Sequence, residues 1–237
     1  MHLHTVRPRD ARFVVAAALA AALLGCGPGG NSKTPFPLSE GFQPLEPLVA
    51  EAQWPAATAT DAHPEGLGPV VQVRDFRHYT SHARGYLHAP LARVYLALHD
   101  PRASLIHNQD GATRLAAPTD LGVEDFPISF LVHYKSSGSF AGISATITFD
   151  VTYRGGPLEG TDAAPVRVGV RYQKTDGTDY IDVMEGSLVA TAVEGAPEVT
   201  AVEMVAWLTA TTQDQSNCDG TLVDLFGDLQ GVLAALP

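Results

Sequence analysis

Between Ala145 and Arg154 apolar and polar side chains alternate without a fault: Ala145, Ile147, Phe149, Val151 and Tyr153 against Thr146, Thr148, Asp150, Thr152 and Arg154. A period of two puts the first set on one face of a strand and the second on the other. One face is buried and the other wet, as in an antiparallel sheet covered on one side. Val166, Val168, Val170 and Tyr172 repeat the pattern against Arg167, Gly169, Arg171 and Gln173, and Ile128, Phe130, Val132 and Tyr134 alternate with Ser129, Leu131 and His133. Asp176-Gly177 supplies a hairpin turn into a strand over Tyr180 to Val193. Glu194 to Pro197 turns again, into a strand over Val199 to Thr211.

Upstream, Val70 to Phe76 and Ala83 to Ala89 read as one long, bent strand. Pro90 then sits where a helix accepts proline, and Leu91, Val94, Tyr95 and Leu98 follow at helical spacing. Asp100-Pro101 ends that helix, and Leu105-Ile106 marks a second short one. The chain closes with a stripe of Leu222, Phe226, Leu229, Leu233 and Leu236, widened by Val223, Leu225 and Val232 and capped by Asp219 or Thr221. A strand, a helix, a run of antiparallel strands and a long amphipathic helix make an α+β domain over residues 69–237.

The N-terminus has a different character. Arg7, Arg9 and Arg12 precede an apolar run, Phe13 to Leu24. As a helix that run covers about 18 Å, short of the roughly 30 Å hydrocarbon core of a bilayer. A basic start and a short apolar run ending in small residues describe a secretion signal. Leu23-Leu24-Gly25-Cys26 resembles the lipobox of bacterial lipoproteins. The resemblance implies a signal peptide of residues 1–25, cleavage after Gly25, and fatty acylation of Cys26. Two or more acyl chains hold a protein on a membrane without help from its surface. Gly27, in place of the aspartate of many inner-membrane lipoproteins, points to the outer membrane of a bacterial envelope.

Removing the signal leaves 12 basic and 25 acidic side chains, a net charge of −13. Such a chain repels nucleic acid and anionic headgroups, so the bilayer is a partner through Cys26 alone. Residues 26–68 carry Gly-Pro-Gly-Gly and six further prolines, the composition of a semi-extended tether. Gly25-Cys26-Gly27-Pro28-Gly29-Gly30 matches the dinucleotide fingerprint in letters only: no strand precedes it and Pro28 spoils the turn into a helix.

Arg84 to Tyr95, with the Leu98-His99-Asp100-Pro101 stop, the Met184-Glu185-Gly186-Ser187 segment and the closing helix, resembles the START-like helix-grip superfamily of polyketide cyclase-like proteins. The resemblance implies a curved antiparallel sheet of six to seven strands wrapped around the C-terminal helix, with an apolar cavity between. It implies a hydrophobic ligand, such as a lipid or polyketide, and brings no catalytic residue and no cofactor. The candidate cavity lining is Ala145, Ile147, Phe149, Val151, Tyr153, Val168, Val170, Tyr172, Phe226, Leu229 and Leu233. Small Ala145, Gly169, Ala206 and Gly227 leave volume beside the large side chains.

Chemistry is sparse. His78, His82 and His88 share parity on the first strand, with His99, His107 and His133 as further ligands for a metal; surface or pocket-lining roles suit them better. Cys218, near a helix start, is a thiol without a disulfide partner once Cys26 is acylated. Glu124-Asp125 and Asp182 with Glu185 are carboxylate pairs lacking a base or nucleophile, and the common hydrolase, zinc-protease and phosphate-loop motifs are absent. The residues favour a lipid-anchored binding protein. The alternatives are a non-catalytic interaction module with a filled cavity and a cyclase-like enzyme. Neither the ligand nor the oligomeric state is written in the residues.

Overall fold

A computed structural model of the chain describes residues 40–75, 78–104, 113–116, 126–140, 143–177, 181–210 and 216–237. The expectations for Gly25, Cys26, His107, Leu105-Ile106 and Glu124-Asp125 lie outside these residues.

Nine strands build one sheet among the described residues: β1 (Gly66–Leu67), β2 (Val71–Asp75), β3 (His78–Leu87), β4 (Thr113–Ala116), β5 (Ile128–Phe140), β6 (Ile143–Thr161), β7 (Ala164–Gly177), β8 (Ile181–Val193) and β9 (Ala196–Ala210). The order is β1-β3-β9-β8-β7-β6-β5-β4, with β2 also on β3, and each pairing is antiparallel. Two helices complete the domain, α1 (Leu91–Leu98) and α2 (Ser216–Ala235), with a 3-10 turn at Pro101–Ser104. This is the α+β helix-grip architecture: an open antiparallel sheet holding a long C-terminal helix.

The count exceeds six to seven because β1 and β4 are too short to show alternation. The long first strand is also two strands. β2 and β3 pair as a hairpin, Asp75 opposite His78. A period of two has no direction, so it cannot separate a strand that continues from one that folds back. α2 starts at Ser216, before the first residue of its apolar stripe.

The register sorts the sheet into two faces. Inward lie Tyr79, Ser81, Ala83, Gly85 and Leu87 of β3, opposite Leu208, Ala206, Met204, Val202 and Thr200 of β9. The rows continue through Met184, Gly186 and Leu188 of β8 to Val168, Val170 and Tyr172 of β7, Val151 and Tyr153 of β6, and Phe130 and Val132 of β5. Leu222, Leu225, Phe226, Leu229, Val232 and Leu233 of α2 join this side in a single buried core, with Leu91, Val94, Tyr95 and Leu98 of α1. Val223 stays exposed, so the stripe widens only toward Leu225 and Val232.

The outer face is not the wet surface that alternation suggests. Residues 42–54 cross it as a strap. Phe42 packs edge-on against Phe126 (5.5 Å), Leu45 donates its N–H to Ser187 Oγ (3.0 Å), and Ala52 donates its N–H to His82 Nδ1 (3.1 Å). Trp54 stacks on Tyr86 at 4.9 Å, with the Arg84 guanidinium 5.4 Å from its ring. The later part of the Pro/Ala-rich segment is therefore laid against the sheet. Thr152 and Arg154, on the polar side of the β6 alternation, are also buried: Thr152 Oγ1 meets Thr175 Oγ1 at 3.2 Å, and the Arg154 guanidinium lies 5.7 Å from the centroid of the Phe126 ring.

Candidate functional site

Of the eleven residues expected to line a cavity, nine are described in full: Phe149, Val151, Tyr153, Val168, Val170, Tyr172, Phe226, Leu229 and Leu233. All nine belong to the one core between sheet and α2. Ala145 and Ile147 belong to β6, but their side chains lie outside the described part. Two of the small residues expected to leave volume there do not face it. Gly169 lies on the outer face, where an added Cβ would meet Leu158 at 2.8 Å, and a Cβ at Gly227 would meet nothing within 4 Å. Ala206 does face inward.

The inner wall is aromatic and in part polar. Phe130 stacks on Tyr153 (4.9 Å), Tyr134 on Phe149 (5.0 Å), and Tyr153 tilts toward Tyr172 (5.6 Å). Tyr172 lies over Gly186, where even a Cβ would come within 2.2 Å of the ring. The hydroxyls of Tyr134 and Tyr153 are hydrogen-bonded at 2.9 Å. Burial pushes both phenols well above their ordinary range, and the Asp228 carboxylate on α2 opposes their ionisation further. Both therefore remain neutral hydroxyls. Lys174 follows Tyr172 on the same side of β7 and is 2% exposed, donating Nζ–H to the carbonyl of Ile181 at 2.7 Å.

Sequence reasoning passed over Tyr79, Tyr134, Lys174 and Asp228 as lining residues. Parity places Lys174 next after Tyr172, and Tyr134 closes the Ile128 alternation, so the signal for those two was present. Nothing in the stripe of α2 marks Asp228 as close to tyrosines from β5 and β6.

The histidines are dispersed. His78 Nδ1 meets Thr209 Oγ1 (2.7 Å), His88 Nε2 donates to the carbonyl of His63 (2.9 Å), His99 Nδ1 donates to the carbonyl of Tyr95 (2.8 Å), and His133 Nδ1 meets Asp150 (2.5 Å). His82 is fully buried beneath the strap. Its Nδ1 accepts from Ala52, so the neutral ring carries its proton on Nε2 and donates to Glu203 Oε1 at 2.7 Å. Among the described residues no three His, Cys, Asp or Glu side chains converge to hold a metal ion. Glu185 accepts from Arg171 Nη2 (2.8 Å) on the outer face. Cys218 falls in the first turn of α2, its side chain outside the described part.

A chamber of about 430 Å³ lies between the strap and the sheet, its floor formed by Val189, Val205 and Ser187. Arg84 stands at one side, donating to Glu203 (2.9 Å) and Glu51 (2.9 Å). Its guanidinium holds the Glu51 carboxyl below the usual range.

No family model matches the chain, and no curated protein does. Solved structures do resemble it. A protein from Thermus thermophilus is 17% identical, covering 66% of this chain and 97% of its own, with a TM-score of 0.43. An aromatase/cyclase from Streptomyces sp. R1128 is 13% identical, covering 67% and 93%, with a TM-score of 0.41. Ara h 8.0201 is 10% identical, covering 67% and 99%, with a TM-score of 0.41.

Proposed function

We propose that this is a lipid-anchored envelope protein whose domain holds an apolar small molecule between the sheet and α2. The observation that carries the reading is the polar content of the inner wall. A core built only for stability gains little from a buried lysine, a tyrosine pair and a nearby carboxylate, because burying polar groups costs energy even when they are bonded. Such groups among stacked aromatic rings suit a site that fixes the orientation of an apolar guest. The residues name no reaction, so binding is the function assigned.

Anchoring is the second half of the proposal. It rests on Leu23-Leu24-Gly25-Cys26 and on the acidic surface, which repels a bilayer. No described helix is long and apolar enough to cross a membrane. The experiment is to purify the full chain from a bacterial envelope, extract it for lipids and record native mass spectra. A co-purifying apolar mass is expected. Absence of such a mass, together with no stabilisation by fatty acids, sterols or polyketides, would favour an interaction module with a filled interior. Cys26→Ala is expected to release the protein from membranes; a variant that stays bound through a high-salt wash removes the anchor reading.

A further inference from the structure

Tyr79 sits on the inner face of β3, opposite Leu208 of β9, and is 1% exposed. Its ring belongs to the core, and the Arg74 guanidinium lies 5.4 Å from the ring centroid. Its hydroxyl is buried and makes no hydrogen bond with any described residue. Buried hydroxyls are normally bonded, because leaving one unsatisfied forfeits its hydration. Tyr134 and Tyr153, deeper along the same face, satisfy each other.

The position of Tyr79 gives this hydroxyl a use. Phe226 packs over Gly85, and Arg93 of α1 reaches the carbonyl of Leu233, so β3 and α2 run in the same direction. The strand from Gly85 back to Tyr79 covers about 20 Å, and the helix from Phe226 back to Ser216 about 15 Å. Tyr79 therefore stands toward the N-terminal end of α2. Along its own row the inner face continues through Leu208 and Met184, both apolar. Tyr79 thus puts a hydrogen-bonding group at the end of an inner row whose next two members are apolar.

We propose that Tyr79 is a specificity-determining residue of the inner site, donating its O–H to an oxygen on the guest. The guest is then an apolar molecule bearing a carbonyl or hydroxyl oxygen rather than a pure hydrocarbon. This rests on the inner-site reading above and names the chemistry that site selects.

The test compares two probes of matched shape, 2-acetylnaphthalene and 2-ethylnaphthalene, on the full chain and on Tyr79→Phe. The full chain is expected to bind the ketone about three- to tenfold more tightly, the worth of one hydrogen bond. Tyr79→Phe is expected to bind both probes equally and, without any probe, to melt no lower than the parent. Binding of both probes with no preference in either protein overturns the role of Tyr79 and leaves the inner site standing. Binding of neither probe by either protein removes the inner site and this assignment with it. A probe-free melting point lowered by several degrees in Tyr79→Phe overturns the proposal too, since the hydroxyl would then be satisfied within the fold.

Discussion

Arg93 of α1 donates from Nη2 to the carbonyl of Leu236 at 2.9 Å, closing the C-terminal end of α2 with a side chain from the other helix. The same guanidinium reaches the carbonyls of Leu233 (3.1 Å) and Pro237 (3.3 Å). The last carbonyls of a helix have no partner within it, and a cation there also suits the helix dipole. Arg93→Ala is expected to cost about 1–3 kcal/mol, the range for a hydrogen bond to a charged group. Thermal melting of the two proteins checks it. Arg93→Lys should recover part of the loss, since one ammonium cannot span three carbonyls.

Phe226 is buried against Gly85, where an added Cβ would stand 3.2 Å from the ring and 2.5 Å from the Gly66 carbonyl oxygen. Phe226→Ala is expected to cost about 3–5 kcal/mol. Gly85→Ala should also destabilise, because its obstacle includes backbone of β1 that cannot rotate away. Chemical denaturation measures both. A loss under about 1 kcal/mol for Phe226→Ala would place α2 outside the core.

His82 seats the strap. His82→Leu removes the acceptor for the Ala52 N–H and the donor to Glu203, leaving two polar groups beneath the strap without it. The expected cost is about 1–3 kcal/mol, and the loosening should be local. Amide exchange at Ala52 and proteolysis between Glu46 and Glu51 should accelerate well before the strands open. Protection unchanged at Ala52 would show that Trp54 and Leu45 hold the strap by themselves.

Tyr134 and Tyr153 give the fold an alkaline limit. Each phenol titrates higher in the folded chain than the ordinary value of 10.0, because burial disfavours the phenolate. Below pH 10 both states keep these protons and stability does not depend on them. Above it the unfolded chain releases protons that the folded chain retains, so stability falls as pH rises, by up to about 1.4 kcal/mol per pH unit per phenol. Melting points of the parent between pH 9 and 11.5 should drop at the upper end, and Tyr134→Phe with Tyr153→Phe should flatten that drop. An equal drop in the double variant would assign the limit to other groups.

The strands and the closing helix were legible because their evidence is repeated. Each inward residue of β6 is echoed two places on, and each buried residue of α2 three or four places on. The strap was not legible. Its hold on the sheet depends on single contacts at Phe42, Leu45, Ala52 and Trp54, and the prolines between them resemble those of a free linker. Thr152 and Arg154 read as solvated too, because alternation carries no trace of the Thr175 hydroxyl and the Phe126 ring that meet them. Gly169 and Gly227 were assigned to the interior on size, and size does not say which face a residue occupies. Lys174 obeys the alternation of β7, but its charge argues for the surface; only the register fixes it inside.

The strap also changes the mechanics of attachment. If residues 27–68 hung free from an acylated Cys26, the domain could wander about 140 Å from the bilayer at full extension. With Phe42 seated, the fifteen residues from 27 to 41 set the upper limit of the lead, about 50 Å at full extension. On the proposed acylation of Cys26, the domain would be held within that distance of the membrane, attached from the strap side of the sheet. Any pull along that lead would fall first on the Phe42–Phe126 contact, then on the bonds to Ser187 and His82, before it reached the strands or the helix.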